Sequence, residues 1–142
     1  MKHLSTATLA IILGVLCSPN VANAYTTYTG TLTLNITVSV VSNISTSTDI
    51  SCTFNASVSG PSDNAEEDDT VTATRSGSTA TCTLVIPYSW HLYDAAHDSV
   101  GLSYTISGFG NTNGRSTSNG IGSIPIPANG ANHSYSVSGV RL

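Results

Sequence analysis

An all-β fold of two packed sheets is what this 142-residue chain predicts, and three observations carry that prediction. Apolar residues recur at every second position in four separate stretches, which is the period of a strand with one buried face. Ser and Thr supply 38 of the 118 residues after position 24, and with Val, Ile and Tyr they favour extended chain over helix. Gly, Pro, Asn and Asp gather between these stretches, where turns need them.

Residues 1–24 read as a secretory signal peptide, with Lys2 and His3 as the basic start and Leu9–Leu16 as the apolar segment. Ala22-Asn23-Ala24 places small residues at the cleavage-recognition positions, so the expected cut falls before Tyr25. Eight apolar residues cannot cross a bilayer core that needs about 20. Without the leader the chain has no lysine: its cations are Arg75, Arg115 and Arg141, against eight acids. Chemistry that needs a lysine amine is thereby excluded. So is a nucleic-acid partner, which would need clustered Lys and Arg. The mature chain is expected to be exported through the periplasm, with no membrane span.

The first strand is the strongest. Leu32, Leu34, Ile36, Val38 and Val40 alternate with polar residues. Asn43–Asp49, polar apart from Ile44, follows as a tether. Ile50, Cys52, Phe54, Ala56 and Val58 mark the next strand, after which Gly60-Pro61-Ser62-Asp63 opens an acidic loop. A weaker strand is expected over 70–75, and Ser76-Gly77-Ser78 reads as a hairpin turn into Ala80, Cys82, Leu84 and Ile86. Trp90–Asp98 is the one stretch with the look of a short helical turn. Val100, Leu102, Tyr104 and Ile106 form another strand, and 109–120 reads as a Gly/Asn/Ser loop. Weak strands over 121–126 and 133–142 flank the turn Ala128-Asn129-Gly130. Cys52 and Cys82, both at inward positions, remain after Cys17 leaves with the leader, and an even count in an exported chain implies one disulfide. About seven strands with this crosslink fit an immunoglobulin-like β-sandwich. The organisation expected is signal peptide 1–24, N-terminal extension 25–48 (strand plus tether) and β-sandwich domain 49–142.

The leading strand has two readings. It pairs within its own domain, or it inserts into another molecule by strand addition to an open sheet edge. In the second, five buried apolar side chains at roughly 1.5–3 kcal/mol each supply an interface near 10 kcal/mol. The layout resembles the subunits of chaperone–usher fimbriae: a signal peptide, an alternating N-terminal extension (here Gly30–Val41), then a cysteine-bearing first strand (Ile50-Ser51-Cys52-Thr53-Phe54). That resemblance implies a structural subunit of a bacterial surface fimbrium or pilus. Its donor-strand residues would be Leu32, Leu34, Ile36, Val38 and Val40, and its partners other fimbrial subunits, a periplasmic chaperone and an outer-membrane usher.

Other constellations carry less. Tyr88, Trp90 and Tyr93 are candidate ligand contacts for a monomeric secreted carbohydrate-binding or adhesin module, with Trp90 as a core plug the competing reading. His91, Asp94, His97 and Asp98 match no established metal-ligand spacing. Asp63-Asn64-Ala65-Glu66-Glu67-Asp68-Asp69 lacks the glycine and alternate-position ligands of an EF-hand loop, so a solvated charge run is expected. No nucleophile elbow, free cysteine or paired-carboxylate scaffold is present, so neither an enzyme nor a resident cofactor or metal is expected.

Overall fold

The computed structural model describes residues 24–61, 63–109 and 114–142; the expected signal peptide lies almost wholly outside them. Eight strands form two four-stranded sheets: β1 (Thr26–Ser39), β2 (Ile50–Ser59), β3 (Asn64–Thr72), β4 (Thr74–Ser76), β5 (Thr79–Leu92), β6 (Ser99–Phe109), β7 (Gly114–Pro125) and β8 (Ala131–Arg141). One sheet has the order β4-β5-β1-β8 and the other β3-β2-β6-β7. The strands with clean alternation occupy the middle of the sheets. In β1, β2, β5 and β6 every even-numbered residue from Leu32 to Val38, Ile50 to Val58, Ala80 to Leu92 and Val100 to Ile106 is buried. Because side chains alternate across a strand, this single parity builds the whole core.

The Cys52–Cys82 disulfide joins β2 to β5, and therefore one sheet to the other. It closes a separation of 30 residues, stabilising the fold by about 3–4 kcal/mol in the chain-entropy account.

β1 lies between two neighbours. It pairs antiparallel with β5, Leu34 opposite Leu84, and parallel with β8, Leu34 opposite Tyr135. In the single chain, then, Leu32, Leu34, Ile36, Val38 and Val40 fill the chain's own core. The expected tether is also held down. Ile44 is buried, and the Arg75 guanidinium donates to the Ile44 carbonyl at 3.1 Å and to that of Ser45. Residues 25–48 are thus packed into the body and do not stand apart from it as an extension.

Three local expectations are corrected. The acidic run is strand β3, paired with β2 throughout, and not a loop. Its inward positions hold Ala65, Glu67, Asp69 and Val71, and two carboxylates among four such residues hide the period from the sequence. The supposed loop 109–120 contains the start of β7 at Gly114. The residues from Trp90 onward are not helical: β5 runs on to Leu92, and a tight turn follows in which the His97 N–H donates to the Asp94 carbonyl at 3.0 Å.

Candidate functional site

The strand directions bring one set of termini together: the start of β1, the ends of β2, β5 and β7, and the starts of β3, β6 and β8. Most of the chemistry-bearing residues singled out in the sequence collect at this end.

The aromatics divide into a buried pair and an exposed group. Trp90 and Tyr88 are 1% and 3% exposed and stack on one another, ring centroids 4.2 Å apart. The even parity of 82, 84, 86, 88, 90 and 92 sends both inward, so they plug the core and do not contact a ligand from the surface. Burial also pushes the Tyr88 hydroxyl above the ordinary tyrosine value, and that of Tyr135 likewise. Gly30 sits opposite Tyr88 in the ladder, and a Cβ there would meet the Tyr88 hydroxyl and the Ala131 carbonyl. Only glycine leaves this space open.

Tyr93, 39% exposed, is turned outward and has a neighbour the sequence reading missed, Tyr25, 56% exposed. Tyr25 lies parallel to the His91 ring, 5.0 Å between centroids and 7° between planes, and 5.5 Å from the Tyr93 ring at 57°. His91 Nδ1 and Thr27 Oγ1 share a hydrogen bond of 3.0 Å. The result is an exposed platform of two tyrosines and a histidine, held at the junction of β1 and β5. The only sequence signal for Tyr25 is its place one residue before a strand that pairs with His91 and Leu92.

Beside this platform lie carboxylates from two loops. Asp63 Oδ2 accepts hydrogen bonds from the backbone N–H groups of Tyr93 (2.7 Å) and Asp94 (2.9 Å), tying the β2–β3 loop to the end of β5. These bonds, that from Asp94 foremost, hold the Asp63 carboxyl below its usual value. Asp98 is 6% exposed, and neither of its oxygens has a hydrogen-bond donor among the described residues. Burial raises its carboxyl first of all; the hydrogen bond that the protonated acid gives to the Asp63 carboxylate comes next, and the charges of Asp63 and Asp94 add to the effect. A Cβ at Gly60 would collide with Asp98 Oδ1, so glycine is needed where this carboxyl meets the β2–β3 loop. Asp94 accepts from His97 Nδ1 at 2.8 Å, and this bond raises the imidazole above its ordinary value.

Toward β7 and β8 the same end opens into an apolar cavity of about 510 Å³, lined by Ile124, Pro125, Ile126, Ala131, His133 and Tyr135 among others. That volume falls within the range of small-molecule pockets.

Among the described residues no group of three or more His, Cys, Asp or Glu is placed to hold a metal ion, and no helix is long and apolar enough to cross a membrane. No protein family, curated protein or solved structure matches the chain.

Proposed function

We propose that this chain is an exported, self-complete β-sandwich binding module of immunoglobulin-like type. Its Tyr25–His91–Tyr93 platform contacts carbohydrate. The observation that carries the reading is the pairing of β1 between β5 and β8: the side chains offered to a neighbour in the fibre scheme already complete the chain's own core. What the molecule leaves exposed is the aromatic end, and flat rings with polar groups beside them suit the apolar faces and hydroxyls of sugars. The test is affinity electrophoresis on immobilised polysaccharides, with sizing of the free protein. A monodisperse monomer that is retained, and Y25A and Y93A variants that melt like the parent yet run unretarded, are the expected results. Retention unchanged in both variants overturns the carbohydrate reading.

A second reading keeps the fimbrial subunit assembling by strand donation, and the geometry of β1 favours it in one respect. A strand that pairs within its own chain makes the same contacts when exchanged between copies, so a closed monomer and a strand-swapped fibre differ mainly in the hinge and in concentration. Residues 40–49 would be that hinge, and Arg75 would have to release the Ile44 and Ser45 carbonyls. Polymers in unheated gels that vanish when residues 25–42 are deleted support this reading. Polymers that survive the deletion exclude it.

A further inference from the structure

We propose that the apolar cavity between β7 and β8 binds a neutral, mainly apolar small molecule whose carbonyl oxygen accepts a hydrogen bond from the Tyr88 hydroxyl. The site is separate from the Tyr25–His91–Tyr93 platform and stands independently of the carbohydrate reading.

Tyr88 carries a polar atom that lacks a counterpart. The residue is 3% exposed, and its hydroxyl has no hydrogen-bond partner among the described residues. A buried hydroxyl left unpaired is costly, and a phenylalanine would fill the same space without that cost. The strand register shows where the hydroxyl goes. Tyr88 on β5 faces Gly30 on β1, and Gly30 faces Ala131 on β8, so the three share one row across the sheet. Neighbouring strands are about 4.8 Å apart, and a phenol crosses β1 only where β1 has no side chain. A Cβ at Gly30 would collide with both the Tyr88 hydroxyl and the Ala131 carbonyl. The ring therefore stays in the core against Trp90, while its oxygen reaches over β1 toward the edge strand β8. Ala131 and Tyr135 of that strand belong to the cavity wall. Burial first, and then the charge of Tyr135, raise the Tyr88 hydroxyl, so the two phenols are near neighbours and both stay neutral donors at physiological pH.

The wall sets the chemistry of the ligand. Isoleucine, proline and alanine make up most of it, and its only polar side chains among the described residues are those of His133 and Tyr135. With no carboxylate in the wall, a cation meets no counter-charge. An anion fares no better. Arg75 is bound to the carbonyls of Ile44, Ser45 and Gly77. Arg115 and Arg141 lie at the start of β7 and the end of β8, whereas the cavity lies at the end of β7 and the start of β8. No lysine exists beyond position 2, and His133 is exposed. Charge without a partner is not taken out of water. A ketone or ester meets these conditions: its carbonyl lies at the tyrosine end and its hydrocarbon along the isoleucines. The volume of about 510 Å³ suits a molecule of that kind.

The test uses the purified chain and Nile red, a neutral apolar dye with one carbonyl that brightens and shifts to the blue on leaving water. The parent should bind the dye saturably, and 2-nonanone should displace it. Nonanoate, charged at pH 7.5, should displace it about tenfold less well. Tyr88→Phe keeps the ring, should melt no lower than the parent, and should hold 2-nonanone about fivefold more weakly. Ala131→Phe fills the space and should bind neither; should it fail to fold, the Tyr88→Phe comparison decides. No saturable dye binding to the parent overturns the proposal, as does full binding to a folded Ala131→Phe, which places the dye elsewhere. Unchanged ketone affinity in Tyr88→Phe overturns it too, as the result of a hydroxyl that holds only water. Nonanoate displacing the dye as well as 2-nonanone overturns the neutral ligand class.

Discussion

The two long sides of the sandwich are finished differently. On the side where β3 and β5 meet, the sheets are stitched together. The Cys52–Cys82 bond crosses between them, and Asp69 on β3 accepts a hydrogen bond from the Val85 N–H of β5 at 2.7 Å. Asn55 and Glu66, and Thr53 and Thr70, pair across β2 and β3. On the side of β7 and β8, Thr105 and Ser118, and Ser107 and Ser116, pair likewise within the sheet, but among the described residues no disulfide or side-chain hydrogen bond crosses from β7 to β8. Ile121, Ile124, Ile126, Tyr135 and Val137 are only half-buried, and the cavity lies between the two edges. The difference follows from composition. β5 offers an apolar residue at each of seven inward positions, whereas β7, with the sequence GRSTSNGIGSIP, offers isoleucines only at its end and breaks register with β6 between Leu102 and Ser103. One side has enough buried surface and crosslinking to shut, and the other does not. The ligand-sized space is found where closure fails.

The largest effect expected from this contrast is on the stitched side. Replacing both Cys52 and Cys82 by Ser should lower unfolding free energy by about 3–4 kcal/mol, read from urea denaturation, because loop closure is lost and two hydroxyls replace apolar sulfurs. A loss under ~1 kcal/mol would mean that the two sheets hold together without their crosslink. Next comes Leu34→Ala in the middle of β1, at a fully buried position, with an expected cost of about 3 kcal/mol. Ile126→Ala on the open side should cost about 1 kcal/mol, since that side chain is only partly buried against the core. If the two truncations cost the same, the open side is better packed than the contrast supposes.

How much of this was legible follows the same line. β1, β2, β5 and β6 are readable because each has an uninterrupted period of two, and a β-sheet core is that period made physical. β3 was hidden because Glu67 and Asp69 stand at inward positions, where a pattern search expects apolar residues. Asp69 is there to satisfy the edge of β5, an inward charge of the kind that also discourages edge pairing. The partners of β1 were not legible at all: alternation tells which face of a strand is buried, not which strand lies beside it. In the site, parity alone could have sent Tyr88 and Trp90 inward, since they continue the series of Cys82, Leu84 and Ile86. The same parity puts Asp98 in line with Val100 and Leu102, a sign that this carboxylate faces the interior. Tyr25 and Asp63 join the site only through chain contacts about 30 residues away or more, which no local pattern records.

The role given to Asp69 can be separated from its charge. Asp69→Ala leaves the Val85 N–H to water at a part-exposed seam and should cost about 1 kcal/mol, while Asp69→Asn retains an acceptor and should cost roughly half of that. Equal losses would trace the effect to charge, since Asn keeps the bond. Amide exchange at Val85 gives the sharper readout: protection should fall in the alanine variant and survive in the asparagine one.

The smallest expected effect has the opposite sign and concerns the open side. Ala131 lines the cavity from β8, at an inward position of an edge strand, and valine there adds two methyl groups that suit extended backbone. If the cavity is simply a shortage of side-chain volume, Ala131→Val should raise stability by about 0.5 kcal/mol, or Tm by a few degrees. The gain is kept small by the openness of the space, because methyl groups that remain half-wet recover only part of their transfer free energy. A loss of stability would show that the walls at Ala131 and Ile124 are already in contact when the protein is in solution. The cavity would then be a property of one side-chain arrangement, and the two sides of the sandwich would be more alike than their compositions suggest.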